Sequence, residues 1–343
     1  MESIQTNLTN HSATIHWGII GCGNVTELKS GPAFNKVPNA ALMAVMRRDA
    51  VKAKDYATRH GVPKWYSNAN ELINDPVINA VYIATPPKFH EAYAIAALQA
   101  GKNVYVEKPM STDLASCKRM QKEANNTGGK LCIAHYRRAL PMFLAVKKLL
   151  AENTIGTIRA VAITLLQPDK SAQMDNPEKN WRVDPALAGG GLFYDLAPHQ
   201  LDLVFYFFGK ALAIQGFSVN QAGLYSAEDI VTGNMILSNR ILFSGLWSFT
   251  VSASLYKDDF EIIGSAGKIS FPVFGNEITV ETDGGKEVLT FKHPTHIQQP
   301  MIEKIVDYFL NKGNNPCSAA DAIQSMTAME QFVYGNGKTT GSL

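Results

Sequence analysis

Along the first third of the chain, short unbroken apolar runs alternate with segments of helical period. The runs are Ile15–Ile20, Ala41–Met46, Ala80–Ala84, Asn103–Val106 and Leu131–Ala134, and the helical segments include Ala50–Arg59 and Glu91–Ala100. Apolar strands separated by helices are what a parallel sheet covered on both faces requires. Gly61 and Gly101 follow the two helical segments and supply the left-handed closing position at little cost. The pattern predicts a doubly wound α/β domain over residues 14–136. After Tyr136 it changes. A helix over Pro141–Glu152 leads to strand-like stretches at Ile158–Leu166, Ala213–Asn220, Ile230–Leu237, Ile241–Val251, Asp259–Gly264, Lys268–Phe271, Ile278–Glu281 and Glu287–Phe291. Ser238-Asn239, Ala266-Gly267 and Asp283-Gly284-Gly285 give hairpin signals between them. One long helix, Leu192–Phe208, is set among these strands, and two more (Pro300–Leu310, Ala319–Val333) close the pattern. This is an α+β domain with a mainly antiparallel sheet over residues 137–334, followed by a frayed Gly/Thr/Ser-rich tail, 335–343.

Composition narrows the class. The 343 residues are 46% hydrophobic and 18% charged, an ordinary globular balance that excludes disorder. A chain of this length buries ~75% of the surface its unfolded form exposes, so no disulfide framework is needed for folding. Lys and Arg number 32 against 30 Asp and Glu, a net +2, which favours neither nucleic acid nor an anionic membrane as a partner. The four cysteines, Cys22, Cys117, Cys132 and Cys317, form no CxxC pair and suit free thiols in a reducing cytosol. Met1–Thr14 is polar without an apolar core, and no apolar stretch reaches the ~20 residues a membrane span needs. The expectation is a cytoplasmic protein. No His/Cys spacing matches a zinc site, so no metal is expected.

Gly21-Cys22-Gly23-Asn24-Val25-Thr26 follows the first run and opens a predicted helix. Glycines at the first two positions permit a tight turn and close backbone approach to a pyrophosphate, whose charge a helix N-terminus favours. Thr26 stands at the third glycine position, and a plain strand–helix connector is the competing reading. Gly21, Cys22, Gly23, Asn24 and Val25 are candidate dinucleotide contacts. Arg47 lies 24 residues after Gly23, about where NAD-preferring folds place a carboxylate for the ribose 2′-hydroxyl. The guanidinium groups of Arg47 and Arg48 pair instead with a 2′-phosphate, which predicts NADP(H) with NAD as the alternative. Asp49 reads as the N-cap of the next helix.

Further segments carry a resemblance. Ile83-Ala84-Thr85-Pro86-Pro87-Lys88-Phe89-His90 ends the third run, and Asn103–Val106 passes straight into Glu107-Lys108-Pro109. Trp181-Arg182 precedes Gly189-Gly190-Gly191-Leu192-Phe193-Tyr194-Asp195-Leu196-Ala197-Pro198-His199, and Glu261-Ile262-Ile263-Gly264-Ser265-Ala266-Gly267 comes later. In this order, from Ile15 to Val333, the segments resemble the glucose–fructose oxidoreductase/inositol dehydrogenase (Gfo/Idh/MocA) family of NAD(P)-dependent sugar and polyol oxidoreductases. The resemblance implies a Rossmann domain and an open-faced sheet domain that often forms the oligomer contact, here of a homodimer or homotetramer, with the active site in the cleft between. It maps the family's catalytic lysine onto Lys108 and its Asp and His onto Asp195 and His199. It also places Thr85, Pro86, His90, Glu107 and Lys108 beside the cofactor, and allows the cis Lys108–Pro109 bond that the motif often has in relatives.

Chemistry fits those roles. An ammonium past the end of a parallel strand can hydrogen-bond a substrate oxygen as hydride moves. Asp195 and His199 are four apart and share one helix face, where imidazole, titrating near neutrality, passes a proton. A second reading makes Asp195 an N-cap with Pro198 in the first turn. Arg137, Trp181 and Arg182 are candidates for lining a polyhydroxylated substrate, with structural ion pairing the alternative for each Arg. Gln200 and Asp202 read as structural. The expected function is hydride transfer between NADP(H) and a CH–OH or C=O group of a sugar or polyol. The alternatives are a glycoside hydrolase that uses bound dinucleotide without net redox, and a dinucleotide-sensing regulator.

Overall fold

The computed structural model describes residues 14–169 and 181–335. The polar N-terminal stretch up to residue 13 and the tail from residue 336, each the subject of an expectation above, lie outside the described residues. In chain order the first part runs β1 (Ile15–Ile20), α1 (Asn24–Leu28), β2 (Ala40–Met46), α2 (Ala50–His60), β3 (Lys64–Tyr66), α3 (Ala69–Asn74), β4 (Ala80–Ile83), α4 (His90–Gln99), β5 (Asn103–Val106), α5 (Leu114–Thr127) and β6 (Leu131–Ile133). The strands form one parallel sheet of order β3-β2-β1-β4-β5-β6. Winding reverses between β1 and β4, which opens a crevice at the carboxyl ends of the strands. β4 is buried along its whole length, which is why its sequence is unbroken apolar. Asp49, Asn68 and Asp113 accept first-turn N–H groups of α2, α3 and α5, and Gly61 closes α2 at φ 64°. β3 has no counterpart in the sequence expectation. It is a three-residue edge strand with Trp65 exposed, too short to show a period.

A 3-10 turn at Tyr136–Ala139 leads to α6 (Pro141–Ala151) and β7 (Ile158–Pro168), then to α7 (Pro185–Ala188) and α8 (Leu192–Phe208). β8 (Ala211–Val219), β9 (Ile230–Leu237), β10 (Leu242–Val251), β11 (Lys257–Gly264), β12 (Gly267–Phe271), β13 (Glu277–Thr282) and β14 (Gly285–Thr290) follow. They build an eight-stranded sheet, β14-β13-β12-β11-β7-β10-β9-β8, antiparallel except where β7 meets β10. Burial alternates along β9 and β10. Val231, Met235, Phe243 and Trp247 pack inward, while Phe217, Ile236, Leu242 and Leu246 stand exposed on the other face. α8 is apolar on nearly all sides, so it lies buried, packed on β9, β10 and the last helix.

α9 (Gln299–Phe309) and α10 (Ala319–Tyr334) end the described chain. α9 returns to the first sheet. Phe309 lies 5.5 Å from Trp17, and Lys130 Nζ donates to the Tyr308 and Phe309 carbonyls at 2.7 and 2.9 Å. α10 contacts α5 as well as α8 and β8, so the closing helices serve both sheets although the sequence pattern groups them with the second. All four cysteines are free and buried. Among the described residues no helix is long and apolar enough to cross a membrane.

Candidate active site

The crevice is rimmed by the ends of β1, β2, β4 and β5. The chain leaves β1 at Gly21 with φ +94°, and a Cβ there would lie 2.8 Å from Thr85 Cγ2 and 2.9 Å from the Ala84 carbonyl carbon. Only glycine allows both the turn and this approach. The Gly21 and Cys22 N–H groups both donate to Met46 O, at 2.9 and 3.2 Å, so they are turned to β2. The donors that remain are the Gly23 amide and the first-turn amides of Asn24 and Val25. A Cβ on Gly23 would meet only Gly21 O, at 3.9 Å, so no protein atom fills the space before it. Thr26 is buried and pins the loop. Its hydroxyl donates to Gly23 O at 2.8 Å, and its carbonyl accepts Tyr56 OH at 2.7 Å. Arg47 Nη1 donates to Cys22 O at 3.3 Å, and Arg48 lies 5.4 Å over the Phe89 ring. An open glycine, unpaired amides and two guanidinium groups at one strand-end crevice fit a dinucleotide's phosphates. The Cys22 side chain points into the core, where burial pushes its thiol up to about 11, so only its backbone belongs to the loop.

Lys108 follows β5 across a cis bond to Pro109. Its ammonium donates to Asp195 Oδ1 and to the Asp195 carbonyl, both at 2.7 Å. Arg182 Nε approaches the other carboxylate oxygen at 3.2 Å. Burial pushes the Asp195 carboxyl up, but the Lys108 and Arg182 charges outweigh it and hold the group below its usual range. Asp195 is not the N-cap that one reading allowed. α8 starts after Gly191, so Asp195 lies in its first turn and Pro198 inside it. Pro198 has no N–H for the Tyr194 carbonyl, and at this opened step Lys108 takes the neighbouring Asp195 carbonyl.

His199, one turn beyond Asp195, stands edge-on to Tyr136 and Phe274 at 5.4 and 5.7 Å. Its Nδ1 is buried without a partner. Burial, then the charges of Lys108 and Arg137, hold the imidazole well below its ordinary value. The expectation of titration near neutrality is therefore corrected: His199 is neutral at pH 7.

Several other expected contacts take different places. His90 is fully buried, with ring nitrogens 2.7 Å from Thr85 O and 3.1 Å from Pro109 O. Burial pushes it down to about 4, so the neutral ring donates to one of these two carbonyls and lies buried between the two turns rather than facing a cofactor. Thr85 and Pro86 stay half-buried at the crevice rim, Thr85 against Gly21. The Glu107 carboxylate also turns inward, accepting from Tyr82 OH, from Gln298 Nε2 at 2.6 Å and from the Lys108 amide at 3.2 Å. Arg137 is buried among Tyr136, Phe143 and Phe274 and donates to Val273 O at 2.6 Å, so it supports the wall behind His199 instead of lining a substrate. Trp181 and Arg182 remain half-exposed, with the guanidinium 4.6 Å over the indole. Gln200 and Asp202 are structural, as expected. Trp247 Nε1 donates to Gln200 at 2.6 Å, and Arg138 grips Asp202 through two 2.8 Å bonds. The sequence pattern gave no sign of Tyr136 and Phe274 as walls for His199, or of Gln298 beside Glu107. Each owes its place to a partner far away in the chain.

A separate hollow of about 360 Å³ opens among Arg138, Tyr206, Lys304 and Asn315. None of the crevice residues lines it. Lys108, at the end of β5, meets Asp195 of α8, one turn before His199.

Comparison with known proteins identifies the family and the fold. A family model described as "Oxidoreductase family, NAD-binding Rossmann fold" matches residues 15–135, and one described as "GFO/IDH/MocA C-terminal domain" matches residues 143–270. Oxidoreductase P35 of Formosa agariphila is 44% identical over 318 residues, covering 93% of this chain and 98% of the relative. The 1,5-anhydro-D-fructose reductase of Ensifer adhaerens is 26% identical over 74% of each chain. A solved levoglucosan dehydrogenase, in complex with NADH and levoglucosan, superposes with a TM-score of 0.83 at 22% identity over 93% of this chain and 96% of that one. That last likeness is one of fold.

Proposed function

The chain belongs to the Gfo/Idh/MocA oxidoreductase family, and from that premise we propose that it transfers a hydride between NADP(H) and a CH–OH or C=O group of a sugar, polyol or similar small molecule. The observation that carries this reading is the double contact of Lys108 with Asp195, which sets an ammonium against the helix that bears His199.

When bound, the nicotinamide supplies the hydride acceptor or donor. The Gly23, Asn24 and Val25 amides would hold the pyrophosphate, Gly21 would give it room to approach, and Arg47 and Arg48 would favour a nucleotide with a 2′-phosphate. Lys108 hydrogen-bonds the reacting oxygen and stabilises its alkoxide character, worth several kcal/mol (roughly 2.7–4 by analogy with one oxyanion-hole donor). His199, already neutral, is in the state needed to accept the carbinol proton during oxidation. Asp195 balances Lys108 and Arg182 and so keeps the ammonium aimed into the crevice. Trp181 and Arg182 line the substrate side. Residues 14–136 serve the nucleotide and residues 137–334 the substrate. The exposed apolar face of the second sheet, with Phe217, Leu242 and Leu246, supports a homodimer or homotetramer. Four buried free thiols support a cytoplasmic setting.

The test is a panel of aldoses, ketoses, inositols, anhydro-sugars and aromatic dihydrodiols, incubated with NADP+, NAD+, NADPH or NADH while reduced-nicotinamide absorbance is followed. Net accumulation with at least one alcohol, or net consumption with at least one carbonyl compound, is expected. Nucleotide binding with no net redox on any member, in either direction, would overturn the proposal.

A further inference from the structure

Glu107 is buried at 7% exposure, and no basic side chain pairs with its carboxylate among the described residues. Three donors hold it instead. Tyr82 OH and Gln298 Nε2 (2.6 Å) share Oε1, and the Lys108 amide takes Oε2 at 3.2 Å. Hydrogen bonds to a carboxylate are about twice as strong as neutral ones, and a buried carboxylate cannot replace a lost donor with water. Gln298 lies 191 residues away and is fully buried. It is itself fixed from two sides. Its Oε1 accepts Tyr105 OH at 3.1 Å, and its backbone N–H donates to Lys29 O at 3.1 Å. His296 Nδ1 adds a 2.7 Å contact to Leu28 O. The segment that leads into α9 is thus pinned to the end of α1, and its amide side chain reaches under β5 to Glu107.

We propose that Gln298 is a positioning residue for Lys108, acting through Glu107. The proposal rests on the reading that Lys108 acts on the reacting oxygen. Without the Gln298 donor, Glu107 keeps one partner on Oε1, and its grip on the Lys108 amide through Oε2 loosens. The ammonium is carried by that same residue, and a displacement of about 1 Å in a catalytic group costs on the order of 10²-fold in rate. Gln298 touches neither nucleotide loop nor substrate side with its side chain, so the loss falls on turnover.

The experiment uses the full chain and the best substrate of the panel. Gln298→Met removes the donor at near-constant volume. The expected result is a 10- to 100-fold fall in kcat, with KM and the nucleotide Kd, the latter read from tryptophan fluorescence, unchanged within threefold. Glu107→Gln and the double variant complete a cycle. In the Glu107→Gln background, Gln298→Met should lower kcat by less than threefold further. Tyr105→Phe, which leaves Gln298 in place but frees its Oε1, should lower kcat about threefold, and it decides the matter if Gln298→Met does not fold. A Gln298→Met protein with wild-type kcat and only a lower Tm, multiplicative effects in the double variant, or full kcat for Tyr105→Phe would overturn the proposal. Lys108→Ala serves as the control. If that variant keeps turnover, the reading beneath the proposal fails instead.

Discussion

Lowering the pH from 7.5 to 5.5 should destabilise this protein by an amount that follows from its buried histidines. His90 and His135 are each pushed down to about 4, and His199 well below its ordinary value, with burial the largest cause in all three. Their folded-state proton affinities are depressed, so the unfolded chain binds protons that the folded chain refuses. Stability is then full above the unfolded value of about 6.5 and is lost as pH falls toward the folded values. Between pH 7.5 and 5.5 each such histidine costs about 1.4 kcal/mol, and three cost about 4 kcal/mol. Asp195 and Asp321, held below their usual range, lose their contribution only in more acid solution. Asp258, pushed up by burial, works in the opposite direction, gaining as the pH falls. Urea unfolding at pH 7.5, 6.5 and 5.5 reads the slope, and His135→Asn should flatten it by about a third because one of the three groups is gone. Equal stability at pH 7.5 and 5.5, or an unchanged slope in His135→Asn, would refute the reasoning and with it the neutral state of His199.

Gly23→Ala separates a binding role from a folding role. Gly23 has φ −136°, and a Cβ there meets only Gly21 O at 3.9 Å, so Tm should move by less than about 2 °C while nucleotide affinity falls tenfold or more. A large fall in Tm, or unchanged affinity in nucleotide titrations, would count against the loop as the phosphate site. Replacing Arg47 and Arg48 together by Ala should weaken NADP+ by about tenfold and leave NAD+ within twofold, since each charge-assisted contact to a 2′-phosphate is absent from NAD+. Equal losses for both nucleotides would place the guanidinium groups elsewhere.

Much of the fold was legible where a local pattern and the tertiary environment agree. β1 and β5 match their apolar runs because both faces of a central parallel strand are covered, and α8 matches because it is apolar all round. Asp49 was legible as a cap because capping is settled within three residues. The start of α8 was harder. Asp195 has the chemistry of a cap, but α8 begins four residues earlier, after the N-cap Gly191, with Pro198 inside it and Lys108 on the carbonyl next to the one Pro198 leaves unpaired. Arg137 and Glu107 turn inward for reasons no neighbour announces. Their partners, Val273 and Gln298, arrive from 136 and 191 positions away. His90 likewise reads as a cofactor contact until Thr85 and Pro109 bring their carbonyls to its two nitrogens. The structure brings the motif residues Lys108 and Asp195 together, but the motifs do not say which of the adjacent polar side chains face the crevice and which hold it up.

The central claim, that the Lys108 ammonium acts on the reacting oxygen, is tested most directly by Lys108→Met. The measurement is kcat with the best panel substrate beside nucleotide Kd from fluorescence titration. The account predicts a fall in kcat of about 10²-fold or more with Kd unchanged within threefold. Wild-type turnover in this variant would contradict it.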